Sequence, residues 1–272
     1  MLTQAEKGAA FDLLHKRAGT FIIPNPWDIG TARILEHLGF EALATTSAGY
    51  AFSIGTTDNN VGREGTLAHA TELAAATDLP VSIDMEHGFG DEPEVVAETI
   101  RMAAATGAVG ASIEDSTKRD EAPVYDLALA VERIRAAAEV VRSLPFPFTL
   151  TARAENYLVG RPDLKDTIER LQRYQEAGAN VLYAPGLATR DDIAAVVSSL
   201  DRPVNVLMGM KGVQFTLAEL SDLGVKRISV GAALARCAYG NFLRAASEMR
   251  DHGTFTFLDD AATPGSMSSI LA

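Results

Sequence analysis

Residues 80–115 read PVSIDMEHGFGDEPEVVAETIRMAAATGAVGASIED, and this one stretch carries the pattern that decides the fold. Pro80–Met85 is a short apolar, β-branched run that ends in acid, which is a strand pattern. Val95, Val96, Thr99, Ile100, Ala103 and Ala104 then share one stripe of helical period. Gly107 stands where a left-handed residue closes a helix, and Gly110–Asp115 is a second strand-like run. Two strands joined through a helix pair in parallel, because a parallel crossover needs a connection of that length.

The same unit recurs in both directions along the chain. Strand-like runs fall at Phe21–Asn25, Glu41–Thr46, Pro80–Met85, Gly110–Asp115, Phe148–Arg153, Asn180–Ala184, Pro203–Leu207 and Arg227–Val230. Gly39, Gly178 and Gly224 repeat the stop signal of Gly107, while Thr216 with Glu219 and Thr189 with Asp192 have N-capping spacing. Eight strands alternating with helices in 272 residues predict an α/β protein, a (β/α)8 TIM barrel. The competing architecture is an open doubly wound sheet, since periodicity shows strands but not closure. No composition break marks a linker, so one domain spans residues 1–272, with its core at about 20–252 and a loose tail over 253–272.

Composition narrows the function classes. With 47% apolar and 22% charged residues the chain is an ordinary globular protein. A net charge of −12 argues against nucleic acid or an anionic membrane as partner. One cysteine rules out a disulfide framework or a Cys-rich zinc site. The N-terminal MLTQAEKGAAFDLLHKR lacks signal-peptide architecture, and no apolar run approaches the roughly 18 residues of a membrane span. A cytoplasmic location is the expectation.

In a barrel, functional groups belong at the C-terminal strand ends. Asp84 and Glu86 stand there at spacing i, i+2, which on a strand puts both on one face. Ionised carboxylates side by side repel unless a cation or proton lies between them. Glu114 ends the next strand, and Asp58 in the loop after the second strand makes a fourth acid. All-oxygen donors suit magnesium or manganese, and magnesium usually keeps several waters. The expected metal set is therefore Asp84 as direct ligand, with Asp58, Glu86 and Glu114 holding bound waters. The competing reading is a strand fraying into solvent, with Asp58 a loop cap.

Arg153 follows Thr149 and Thr151 at period two, so all three are expected inside the barrel, where a guanidinium fork suits a carboxylate or oxo group. The turn at Thr45–Gly49, with Thr46, Ser47 and Ala48, offers backbone N–H groups to an anion. It also reads as an ordinary tight loop. Asp115 is expected to be a solvated neighbour of Glu114, His87 exposed or behind the acids, and Cys237 packed and inert.

The segments SIDMEHGFG (82–90), SIEDS (112–116), TARAE (151–155) and TTSAG…SIGTTD (45–58) together resemble the isocitrate lyase/phosphoenolpyruvate mutase superfamily. The resemblance spans roughly residues 21–250. It implies a magnesium-dependent enzyme that makes or breaks a C–C or C–P bond beside a 2-oxo acid, through a metal-chelated, pyruvate-like enolate. It also implies substrate contacts from Thr46, Ser47, Ala48, Asp84 and Arg153, and a gating loop at Ser116–Tyr125. Catalytic roles fall to Arg153, Glu114 and a loop cation, Lys118 or Arg119. Asn205 at the seventh strand end is a further substrate contact. A homo-oligomer, dimer or tetramer, exchanging the helix at Ala232–Met249 is implied as well.

The chain departs from that pattern in two places. The lyases' loop cysteine is missing, and the sixth strand ends in Ala184-Pro185 where relatives carry a glutamate or histidine. The expected reaction is a lyase or decarboxylase acting on a small 2-oxo or 2-hydroxy dicarboxylate. The alternatives are a C–P enzyme (phosphonomutase or phosphonopyruvate hydrolase) and a barrel that binds a 2-oxo acid without turnover.

Overall fold

A computed structural model describes residues 2–272. The eight strands are β1 (Phe21–Ile23), β2 (Leu43–Ala44), β3 (Val81–Asp84), β4 (Gly110–Glu114), β5 (Thr149–Arg153), β6 (Val181–Tyr183), β7 (Val204–Leu207) and β8 (Arg227–Ser229). Each lies inside the run expected for it. All pair in parallel, in the order β1-β8-β7-β6-β5-β4-β3-β2. The remaining seam, β1 to β2, is held by the Ala44 N–H donating to the Pro24 carbonyl at 3.0 Å. Asn25 reinforces it, donating to the Thr45 carbonyl and accepting from the N–H groups of Val230 and Gly231. The sheet thus closes into a (β/α)8 barrel.

The helices are α1 (Gln4–Lys16), α2 (Ile29–His37), α3 (Ser47–Ser53), α4 (Gly62–Ala76), α5 (Pro93–Ala105), α6 (Leu127–Ser143), α7 (Leu164–Ala177), α8 (Arg190–Ser198), α9 (Leu217–Asp222), α10 (Ala233–His252) and α11 (Pro264–Leu271). The helical stripe of the sequence is largely the face α5 buries: Val96, Thr99, Ile100, Ala103 and Ala104 are buried, while Val95 is half-buried. Fully burying such side chains is worth about 1.5–3 kcal/mol for each Val or Ile. The expected stops are real: Gly39, Gly107, Gly178 and Gly224 all have positive φ, between 82° and 113°. Thr216 and Glu219 form the reciprocal capping box, and Thr189 caps α8 through the Asp192 N–H.

The C-terminal end departs from expectation. Residues after Gly253 are not irregular: a 3-10 turn covers Thr256–Asp260 and α11 follows, packed toward α2. None of these residues is buried, so the segment is helical but contributes nothing to the core. α10 has twenty residues and buries only Ala235, leaving Leu234, Phe242, Leu243 and Met249 exposed. Cys237 is exposed too, which corrects the expectation of a packed thiol: Ala235 is the one residue that this helix buries.

Candidate active site

A cavity of about 240 Å³ opens at the C-terminal end of the strands. That is smaller than the roughly 300–1,000 Å³ of pockets for drug-sized ligands, and it suits a small acid. Asp84 ends β3, and its position is fixed by its own N–H donating to Thr45 Oγ1 at 2.9 Å. Ser47 and Ser112 hydroxyls donate to its two carboxylate oxygens at 3.1 and 3.3 Å. Thr46 caps α3 by accepting the Gly49 N–H, so Ser47 and Ala48 are turned to line the cavity with it.

Arg153, at the end of β5, ties the acids together. It contacts Asp84 at 3.0 Å, Glu114 at 3.1 Å and Glu155 at 2.9 Å, with its ring-face neighbour Tyr183 at 5.2 Å. Burial alone would depress this guanidinium, but Glu155, Glu114 and Asp84 hold it well above its usual value. The convergence expected of Asp84, Glu114 and Arg153 is therefore present, and Arg153 is saturated with carboxylates in this state.

Glu86 is close to the same acids but not by the expected route. β3 stops at Asp84, and Glu86 stands in a turn with φ +49°, so the two do not share a strand face. The turn is needed because the Glu86 carbonyl accepts the Glu114 N–H at 2.9 Å, extending the β3–β4 pairing past the strand end. A left-handed conformation at a non-glycine costs roughly 1–2 kcal/mol. Burial first, then the charge of Asp84, pushes the Glu86 carboxyl up to about 7. Its Oε1 is buried without any hydrogen-bond partner. Asp58 lies on an exposed loop and lines the cavity mouth.

Among the described residues no three His, Cys, Asp or Glu side chains are grouped to hold a metal directly. Cations of the chain itself occupy the space between the acids: Arg153, and Lys118, whose ammonium is hydrogen-bonded to Glu114 Oε1. Lys118 takes φ +60° to reach inward. Burial would lower its pKa, but Glu114, Glu155 and Glu86 together more than offset this and the net shift is upward. Arg119 points away, pairing with Asp91 at 2.8 Å. The loop is a small hairpin, with Ser116 bridged to Val124.

Other expectations are corrected or refined. Asp115 is buried, not solvated, because the outer face of a barrel strand meets helices: Tyr174 donates to it at 2.6 Å and Arg170 pairs with it at 3.2 Å. His87 is partly buried, with Nδ1 unpartnered. Asn205 lines the cavity, but its amide already donates to Ser229 and accepts from Arg227. Reasoning from sequence missed Tyr183, Glu155 and Arg227. For Tyr183 and Arg227 the signal was strand parity: Tyr183 is in register with Asn205, and Asn205 with Arg227, all three lining the cavity, whereas Glu155 lies past the end of β5.

The comparisons agree with this geometry. The phosphoenolpyruvate phosphomutase family model matches residues 11–250. A crystal structure from Burkholderia cenocepacia J2315, assigned only by class as a lyase/mutase, is 59% identical, with 99% of this chain and 96% of that one covered and a TM-score of 0.97. Oxaloacetate acetylhydrolase in complex with oxalate is 26% identical over 99% of this chain and 94% of that one, with a TM-score of 0.88. A 2-methylisocitrate lyase of Halalkalibacterium halodurans is 26% identical, covering 93% of this chain and 85% of its own. The chain belongs to the phosphoenolpyruvate phosphomutase family of the isocitrate lyase/phosphoenolpyruvate mutase superfamily.

Proposed function

We propose that this protein is a magnesium-dependent enzyme that makes or breaks a C–C bond next to the oxo or hydroxy carbon of a small 2-oxo or 2-hydroxy dicarboxylate. The observation that carries the reading is the buried, unpartnered Glu86 Oε1, near enough to Asp84 and Glu114 to feel their charge, behind a small cavity that Asp84 itself lines. A buried carboxylate oxygen without a donor is costly, and a hydrated divalent cation satisfies it. The donors fit magnesium or manganese, with Asp84 as direct ligand and Asp58, Glu86 and Glu114 reaching it through water. Such an ion would supply Lewis-acid stabilisation of negative charge on a substrate oxygen.

The chain's own residues do the rest. Arg153 adds positive charge on the side of the cavity where that oxygen lies, and Ser47 and Ala48 line the wall beside it. Lys118 keeps its proton at neutral pH, which makes it a donor to a leaving carbanion and unsuited as a base. The Ser116–Tyr125 hairpin carries Lys118 and excludes water when it covers the mouth. Cys237 sits on α10 and does not line the cavity, so a cysteine acid is not part of this chemistry.

A C–P bond reaction is the second reading, favoured by the family match itself. The test is a substrate panel with Mg²⁺ and with EDTA. Pyruvate released from oxaloacetate or a substituted malate, above the enzyme-free rate, supports the first reading. Phosphate from phosphonopyruvate would replace it with the second, and turnover undiminished in EDTA would sink both. We also propose that a second copy of the chain covers the exposed face of α10, giving a homo-oligomer; sedimentation at a monomer mass would refute that. No helix among the described residues is long and apolar enough to cross a membrane, and a cytoplasmic location accompanies this reading.

A further inference from the structure

The cavity does not end at the acidic cluster. It continues down the barrel axis to Arg227, at the start of β8. Barrel interiors are ordinarily filled by layers of bulky branched side chains; here Ser82, Ser112 and Ser229 leave the space open. Arg227 crosses the interior from β8 to β5, donating to Asn205 Oδ1 at 2.8 Å and to Thr151 Oγ1 at 3.1 Å. His15 of α1 lies below it, with Nε2 at 3.5 Å from Nη1. The other His15 nitrogen is 2.8 Å from the Phe11 carbonyl and must donate there, so Nε2 is an acceptor and the imidazole is neutral. Burial pushes its pKa down to about 3, in agreement with that tautomer.

Arg227 is therefore a guanidinium only 5% exposed with neutral partners alone. Among the described residues no carboxylate pairs with it; the one group that favours its charge is the Tyr183 phenol, and burial lowers its pKa to about 10. It still carries its charge at neutral pH. A guanidinium has five N–H donors, and three hydrogen bonds leave two uncommitted in a wall of the cavity. A desolvated, unpaired cation is expensive, and an anion that enters the cavity relieves it.

We propose that Arg227 binds a second anionic group of the substrate, the carboxylate remote from the reacting oxo or hydroxy carbon, and so selects dicarboxylates over monocarboxylates. This rests on the 2-oxo acid reading above. The remote carboxylate points down the barrel axis, while the 2-oxo or 2-hydroxy acid end stays at the acidic rim. Arg227 supplies the fork, and Asn205 and Thr151 hold it in place.

Calorimetric titration of the full chain in Mg²⁺ tests this with three probes: pyruvate, malate and the 4-amide of malate, which lacks only the remote charge. Wild-type protein is expected to bind malate about tenfold or more tightly than the amide, the scale of a charge-assisted hydrogen bond. Arg227→Gln should erase that difference without changing affinity for pyruvate, and Arg227→Lys should restore part of it. Equal wild-type affinities for malate and its amide overturn the proposal and need no variant. So does a variant that weakens all three ligands alike, which is what a mere barrel brace would do. Failure of the wild type to bind pyruvate at all would instead overturn the 2-oxo acid reading on which the proposal rests.

Discussion

Two buried arginines face the same cavity in opposite electrostatic settings. Arg153, on the β3–β5 side, is surrounded by Asp84, Glu114 and Glu155, and they hold its pKa well above the usual value. Arg227, on the β7–β8 side, has only neutral partners and is lowered to about 10. The same side chain is thus a counter-ion on one wall and an unanswered charge on the other. The cavity is acidic at its rim and basic at its floor, so a cation is drawn to one end and an anion to the other. A metal and a dicarboxylate fit that polarity together better than either fits alone.

Removing the acidic pole gives the largest expected effect. Asp84→Ala should abolish Mg²⁺-dependent binding of 2-oxo acids and all turnover, measured by calorimetry and pyruvate release; retained binding would show that the rim needs no metal. Next comes the cation that ties the acids. Arg153→Met leaves buried carboxylates uncompensated, a class of change that costs about 3–5 kcal/mol. Its melting temperature should fall by several degrees and recover in part with Mg²⁺; a loss indifferent to Mg²⁺ would mean that the acids do not share a cation site.

A smaller effect is expected from pH. His69 is buried against Tyr50, its rings stacked at 3.7 Å, and burial lowers its pKa to about 4; His15 is lowered to about 3. Unfolded, both would titrate near 6.5. Between those values the unfolded chain binds more protons at these two sites, so their contribution to stability is full above about pH 6.5 and falls as pH drops toward 4 and then 3. His69→Gln should flatten that fall, measured by melting temperature across the range; an unchanged slope would show that His69 is not buried neutral. The smallest effect is none: Cys237→Ala should keep full activity, and a large drop in kcat with the fold intact would place a nucleophile where the cavity has none.

Much of the fold was legible because its signals are local. Strand runs need only apolar residues in a row, and a helix stop needs only a glycine with positive φ, as Gly107 and Gly178 show. Asp84, Glu114 and Arg153 were legible as a group because barrel geometry gathers strand ends. Glu86 was misplaced because its left-handed turn is imposed by pairing with Glu114, a contact 28 residues away in sequence. Asp115 was misread because its partners, Arg170 and Tyr174, come from α7. For Arg227 strand parity shows only that it faces inward: what marks it is a missing partner, and no spacing records an absence.

The β1–β2 seam has a consequence for how the barrel breathes. Seven of the eight junctions are strand ladders, whereas this one depends on the Ala44-to-Pro24 bond and the amide of Asn25. Local opening follows the fewest buried hydrogen bonds, so the Ala44 amide should exchange with solvent deuterium sooner than those of β3–β5. Ile23, Asn25, Ala44 and Thr45 also form one wall of the cavity. A ligand seated there presses on the weakest join in the cylinder, and its arrival should be readable as slowed exchange at Ala44.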